Sequence, residues 1–201
     1  MADPGRLREL LVPERRVWLC PAGNPERRTR WTAVLVESPS GEALVSLDTT
    51  LPNHLIGRAL QDCALREFQG WTLERAEATI GRSRFDFLLS KTGDRKLVLE
   101  VKSVTLVEDG VALFPDAVTE RGARHVRELT ELAGKPGWEA AVLFVLQRQD
   151  GQEIRAARTI DHRFAAALAA AKAAGVEVLG RRCTVFLDKV ELGPPVPVSV
   201  D

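Results

Sequence analysis

Three residues have the types and spacing of a hydrolytic metal site. Ser83-Arg84-Phe85-Asp86-Phe87-Leu88-Leu89 and Lys96-Leu97-Val98-Leu99-Glu100-Val101-Lys102 both read as strands, and a short loop containing Gly93 joins them. A hairpin symmetric about Gly93 sets Phe87 opposite Leu99, Phe85 opposite Val101, Asp86 opposite Glu100 and Arg84 opposite Lys102. Side chains alternate faces along a strand. Phe85, Phe87, Leu99 and Val101 are therefore expected in the core, with Asp86, Glu100, Lys102 and Arg84 gathered on the other face. Directly opposed residues have Cβ atoms about 4.5–5.5 Å apart, and like charges there repel. A divalent cation resolves the conflict, because Mg²⁺ binds through one or two carboxylates and keeps several waters. Lys102 points to the same side, where it could orient an attacking water or stabilise charge on a phosphate oxygen. The chemistry implied is metal-assisted phosphodiester hydrolysis. The same charges also fit the solvated face of an ordinary hairpin, and a one-residue slip would turn the whole set away.

Other elements must bring further groups to these acids. A helix is expected from about Thr119 to Ala133, with Val118, Gly122, Val126 and Leu129 as its inward stripe. Arg121, Arg124 and Glu128 then lie on a more exposed face, with His125 near its border. That face could hold a phosphate backbone, or could simply be solvated and internally paired. Asp116 and Thr119 read as capping residues. Glu77, on a strand from Thr72 to Ile80, and Gln147, ending an apolar strand from Ala140, are weaker cleft candidates, as is Arg148. Asn53 reads as the N-cap of a helix from His54 to about Gln61, with Leu55, Ala59 and Leu60 inward.

The N-terminal stretch offers short strands at Val17 to Cys20, Trp31 to Glu37 and Ala43 to Leu47. An Ala-rich helix from His162 to Ala174 closes on Gly175, Cys183 to Val190 reads as a last strand, and Pro194-Pro195-Val196-Pro197 as a disordered tail. The order predicts an α/β fold, a mixed sheet with helices packed on it. The 201 residues suffice for one large domain or for an ordinary domain with a smaller neighbour. Lys+Arg and Asp+Glu number 28 each, so affinity for nucleic acid must come from local patches. The first thirty residues are the most basic stretch, with Arg6 and Arg8 among their arginines. No apolar run approaches the roughly 18 residues of a membrane helix, and Met-Ala-Asp-Pro-Gly-Arg has no signal-peptide core. Cys20, Cys63 and Cys183 form no metal or redox motif, so reduced thiols in the cytoplasm are expected. Nucleophile elbow, phosphate-binding glycine loop and HExxH are all missing from the sequence.

Several of these segments together resemble the sugar fermentation stimulation protein A (SfsA) family. They are Ala2 to Leu11, Asn24-Pro25, Leu51-Pro52-Asn53, Ser83 to Leu88, Leu99 to Leu106, Phe114 to Gly122 and Leu146-Gln147-Arg148. The resemblance covers nearly the whole chain. It implies a mixed-sheet, restriction-endonuclease-like PD-(D/E)xK domain over residues 51–201, preceded by a truncated OB-like β-part over residues 1–50. In the family pattern Asp86, Glu100 and Lys102 take the acid, acid and lysine positions. Asp86 and Glu100 would then ligate Mg²⁺ or Mn²⁺. The implied partner is DNA, with Arg6, Arg8, Arg84, Arg121 and Arg124 as candidate phosphate contacts and Glu77, His125 and Gln147 as weaker cleft residues. The implied function is a bacterial cytoplasmic DNA-binding protein with a Mg-dependent nuclease site. A non-cleaving DNA-binding regulator of sugar metabolism genes is the alternative, and a protein-interaction module a third. The Asp3–Leu11 motif normally lies further into the family's first domain, so the opening barrel strands are expected to be missing. The open edge would then weaken nucleic-acid binding or be covered in a homodimer. Glu14 stands where the family usually has Gly.

Overall fold

The computed structural model describes residues 7–23 and 26–200. Strands β1 (Val17–Pro21), β2 (Trp31–Glu37) and β3 (Leu44–Ser46) form a small antiparallel sheet in that order. Leu7, Leu10, Val36, Val45 and Leu47 make its own core, while Leu35 packs into the larger core beyond. The Ser46 N–H donates to the Gln147 carbonyl at 3.0 Å, tying this part to the rest.

Helix α1 (Leu51–Gln61) starts from Thr50, with Pro52 in its first turn, where a missing N–H costs nothing. Asn53 is therefore inside the first turn and is not the N-cap, which leaves its amide available elsewhere. Next come β4 (Thr72–Ile80), β5 (Ser83–Lys91), β6 (Arg95–Val104), β7 (Val107–Glu108) and β8 (Val111–Phe114). After them follow α2 (Glu120–Ala133), β9 (Trp138–Leu146), β10 (Glu153–Ala156) and α3 (His162–Ala173). The chain closes with β11 (Glu177–Val185), β12 (Val190–Pro195) and β13 (Val198–Ser199).

The central sheet has six strands in the order β12-β11-β9-β6-β5-β4, with β6, β9 and β11 parallel and the outer pairs antiparallel. Its two faces are set by parity. Leu97, Leu99, Ala141, Leu143 and Val145 pack toward Ile56 and Leu60 of α1. Val98, Ala140, Val142 and Phe144 pack toward Val126 and Leu129 of α2 and toward Phe164 and Leu168 of α3. Position 100 falls on the second face, so Glu100 enters a buried layer against α2 and is not on a solvated hairpin surface.

A second sheet, in the order β13-β10-β8-β7, is a departure from the sequence reading. Its hairpin turns at Asp109-Gly110, both with positive φ (48° and 78°), the conformation that Asp-Gly favours between short strands. The tail is also ordered. Val196 and Val200 are buried, and the Val196 N–H donates to the Gly180 carbonyl at 2.9 Å. A Cβ at Gly180 would lie 2.8 Å from Val198 Cγ2 and 2.9 Å from the Val196 carbonyl oxygen, so only glycine lets the tail cross β11 this closely. Val118, expected in the stripe of α2, precedes the helix and is 62% exposed. Among the described residues no helix is long and apolar enough to cross a membrane.

Candidate metal centre

The β5–β6 hairpin has the register that symmetry about Gly93 predicts, with Phe87 opposite Leu99, Leu89 opposite Leu97 and Lys91 opposite Arg95. The ladder ends at Phe87–Leu99, so the expected pairs Asp86–Glu100, Phe85–Val101 and Arg84–Lys102 are not formed. Beyond it β6 continues to pair only with β9, through Val104 opposite Leu146. The Val101 N–H, left without a partner from β5, instead donates to Asp86 Oδ2 at 2.7 Å. β5 stays paired with β4 through Ser83 and alternates in burial along its length. Phe85 joins the core on the α2 side, apart from Phe87, Leu99 and Val101, contrary to the expected single cluster.

Asp86 Oδ1 accepts the amide of Asn53 at 2.6 Å. Glu100 is 4% exposed. Its Oε1 takes two contacts, from Lys102 Nζ at 2.6 Å and His125 Nδ1 at 2.7 Å. Its Oε2 is buried and has no hydrogen-bond partner. A buried carboxylate oxygen without a donor is costly, and this one belongs to a residue lining the same cleft as Asp86. The cleft encloses about 540 Å³, with Asp86, Glu100, Lys102, Thr119 and Arg121 in its wall.

The two acids respond differently to that environment. Burial pushes the Asp86 carboxyl up from its ordinary value, and the Glu100 charge adds to this. The Val101 N–H, Lys102 and Asn53 oppose the rise without cancelling it. Burial would raise Glu100 as well, but the His125 hydrogen bond and Lys102 outweigh it and hold Glu100 below the usual range. Glu100 is thus the settled carboxylate and Asp86 the strained one. The donor set fits a hard divalent cation: two carboxylates, one with an orphaned oxygen, beside a cavity with room for waters. Among the described residues no group of three or more His, Cys, Asp or Glu is placed to hold an ion.

The structure brings some of the expected residues together and disperses others. Asp86, Glu100, Lys102 and Arg121 share the cleft. His125 is 3% exposed, so it is not a border residue of a solvated face. Arg84 is absent from the cleft wall and lies 3.6 Å from Glu77, both side chains well exposed. Arg124 is exposed, 3.9 Å from Glu128. Arg8 is exposed near the N-terminus, away from the cleft wall, and Arg6 and Asn24-Pro25 lie outside the described residues. Gln147 is fully buried, with its amide donating to the Asp48 carbonyl and Ser103 Oγ, and so acts as a joint between the N-terminal part and the main sheet. Arg148 is bound by Asp150 and the Thr105 carbonyl. Thr119 caps α2 as expected, its Oγ1 accepting the Gly122 N–H at 3.0 Å. Asp116 lines the cleft. The reading of the sequence missed Asn53 as a partner of Asp86, although Pro52 beside it marks a helix start that places it in the first turn.

Two family models match the chain: the SfsA N-terminal OB domain over residues 1–47 and the sugar fermentation stimulation protein RE domain over residues 50–189. A sugar fermentation stimulation protein homolog of Shouchella clausii is 51% identical over 200 residues, spanning all of this chain and 85% of that protein. One of Moorella thermoacetica is 43% identical over 201 residues with the same coverage. Among solved structures, the Pyrococcus furiosus SfsA in complex with Ca²⁺ superposes with a TM-score of 0.88 at 26% identity, covering 99% of this chain and 84% of that one. The chain belongs to the sugar fermentation stimulation protein (SfsA) family.

Proposed function

We propose that the protein binds nucleic acid, with DNA as the expected substrate, and hydrolyses its phosphodiester bonds with the aid of a divalent cation. The observation that carries this reading is the buried, unpartnered Oε2 of Glu100 in a cleft shared with Asp86. Asp86 and Glu100 would hold the cation, with water completing its shell, and Mg²⁺ or Mn²⁺ are the expected ions. Bound there, the cation would polarise a phosphate oxygen as a Lewis acid. The Ca²⁺ in the Pyrococcus furiosus relative supports a divalent site.

The chain's own groups then divide the work. Lys102, with Nζ held on Glu100 Oε1, presents a cation to an attacking water or to charge developing on the phosphate. Arg121, in the cleft wall, offers a planar guanidinium to a phosphate oxygen. Asp86, disfavoured as a bare carboxylate, gains most when a cation arrives. Arg8, Arg84 and Arg124, outside the cleft wall, would serve as phosphate contacts along a longer nucleic acid.

The test is incubation with plasmid, single-stranded DNA and RNA in Mg²⁺ or Mn²⁺. Cleavage that disappears in Lys102→Ala and Asp86→Ala supports the hydrolase. Salt-sensitive binding with no cutting on any substrate overturns it in favour of the non-cleaving regulator.

A further inference from the structure

The metal-site reading uses three residues, yet a fourth is wired into them. His125 lies within α2 with its ring against Phe85, centroids 5.5 Å apart, and is 3% exposed. Core histidines are ordinary, but this one has both ring nitrogens engaged by residues of the cleft wall. Its Nδ1 lies 2.7 Å from Glu100 Oε1, and its Nε2 lies 3.4 Å from Arg121 Nε. A guanidinium nitrogen can only donate. Nε2 therefore accepts, and Nδ1 carries the N–H that donates to Glu100. The result is one directed chain from Arg121 through His125 to Glu100.

We propose that His125 is a positioning residue for the candidate metal centre, fixing which oxygen of Glu100 meets the cation and anchoring Arg121 beside it. This inference rests on the metal-site reading above. With Lys102 also on Oε1, the His125 N–H saturates that oxygen and leaves Oε2 as the one without a donor. A carboxylate free to rotate could present either oxygen; this one cannot. Partners of this kind, which hydrogen-bond a ligand without touching the metal, typically change metal affinity by about 10–100-fold when removed. The same ring links the ligand Glu100 to Arg121, so cation and phosphate contact are set by one side chain.

The test uses the full chain and two amide variants. Asn at position 125 can place an N–H near the Nδ1 site, whereas Gln places its amide nearer Nε2. Both lose the ring contact with Phe85, so the packing loss is common to them. Calorimetric titration with Ca²⁺ and Mn²⁺ should show His125→Asn binding within about threefold of wild type and His125→Gln weakened by 10-fold or more. Equal affinities in the two variants, or the reverse order, would overturn the role of His125 while leaving the metal site standing. A wild-type protein that binds neither ion overturns both. A second measurement needs no variant: ¹⁵N imidazole spectra of the wild-type protein should show His125 with its proton on Nδ1, and that signal should move when Ca²⁺ is added. A proton on Nε2, or a signal indifferent to a cation that does bind, would contradict the assignment.

Discussion

Replacing Asp86 by Asn should make the metal-free protein more stable while abolishing cation binding. Asp86 makes two good hydrogen bonds, to Asn53 at 2.6 Å and to the Val101 N–H at 2.7 Å. Its pKa is nonetheless raised, first by burial and then by the Glu100 charge, so those bonds do not compensate the buried charge. Asn keeps an oxygen for Val101 and removes the buried charge, so the variant should melt higher than the wild type in EDTA; for a chain of this size each 1 kcal/mol gained shows as roughly 2–4 °C in Tm. The sign with pH follows. A folded-state pKa raised above the unfolded value makes Asp86 oppose folding at neutral pH. That opposition fades as pH falls through the raised pKa and ends below the ordinary carboxylate range, so the two proteins should converge on acidification. Saturating Ca²⁺ at about 100 times its Kd should stabilise the wild type by roughly 2.7 kcal/mol and leave the variant unchanged. Differential scanning calorimetry with EDTA and with Ca²⁺ reads all three effects. An Asp86→Asn protein that melts lower than wild type in EDTA would refute the reasoning, because Asp86 would then be a satisfied structural residue.

Lys102→Ala should lower cleavage at least about 100-fold, as for loss of a group stabilising developing charge, while Ca²⁺ binding by calorimetry stays within about tenfold. Arg148 is 2% exposed and meets Asp150 at 2.6 Å through two nitrogens; Arg148→Ala should destabilise the fold by about 3 kcal/mol, a drop of several degrees in Tm. Burial would raise Asp150, but Arg148 outweighs it and lowers its pKa. The stability this pair contributes should thus be present above the ordinary Asp value and lost as pH falls through the depressed one, a loss missing from Arg148→Ala in acid-unfolding curves. Burial pushes the Cys183 thiol up to about 12, whereas Cys20 and Cys63 are exposed. A thiol reagent should label the latter two in the native protein and reach Cys183 only after unfolding.

Local alternation carries much of the site in the sequence. The Phe87–Leu99 register follows from a hairpin centred on Gly93, and the shared parity of Glu100 and Lys102 along β6 puts both in one cleft wall, since parity along a strand is a local property. What was illegible depends on contacts distant in the chain. Asn53 meets Asp86 across 33 positions and His125 meets Glu100 across 25, and no periodicity announces either. Phe85 packs with the α2-side core although it shares parity with Phe87, which alternation alone does not foresee. The Asp109-Gly110 hairpin was readable as a turn signal, but its strands are too short to show a period. The proline-rich tail is ordered because Gly180 admits it, and that role appears only when β11 and the tail are packed together. Arg84, grouped with the acids by parity, instead lies exposed beside Glu77 of β4, a contact that parity on β5 does not announce.

The most direct test of the metal centre is a crystal soaked in Mn²⁺ and measured for anomalous scattering. The expected result is a peak within bonding distance of both Glu100 Oε2 and an Asp86 oxygen, with Oε1 still held by Lys102 and His125. A peak elsewhere, or a Glu100 whose Oε2 is taken up by a protein donor in the presence of the ion, would contradict it.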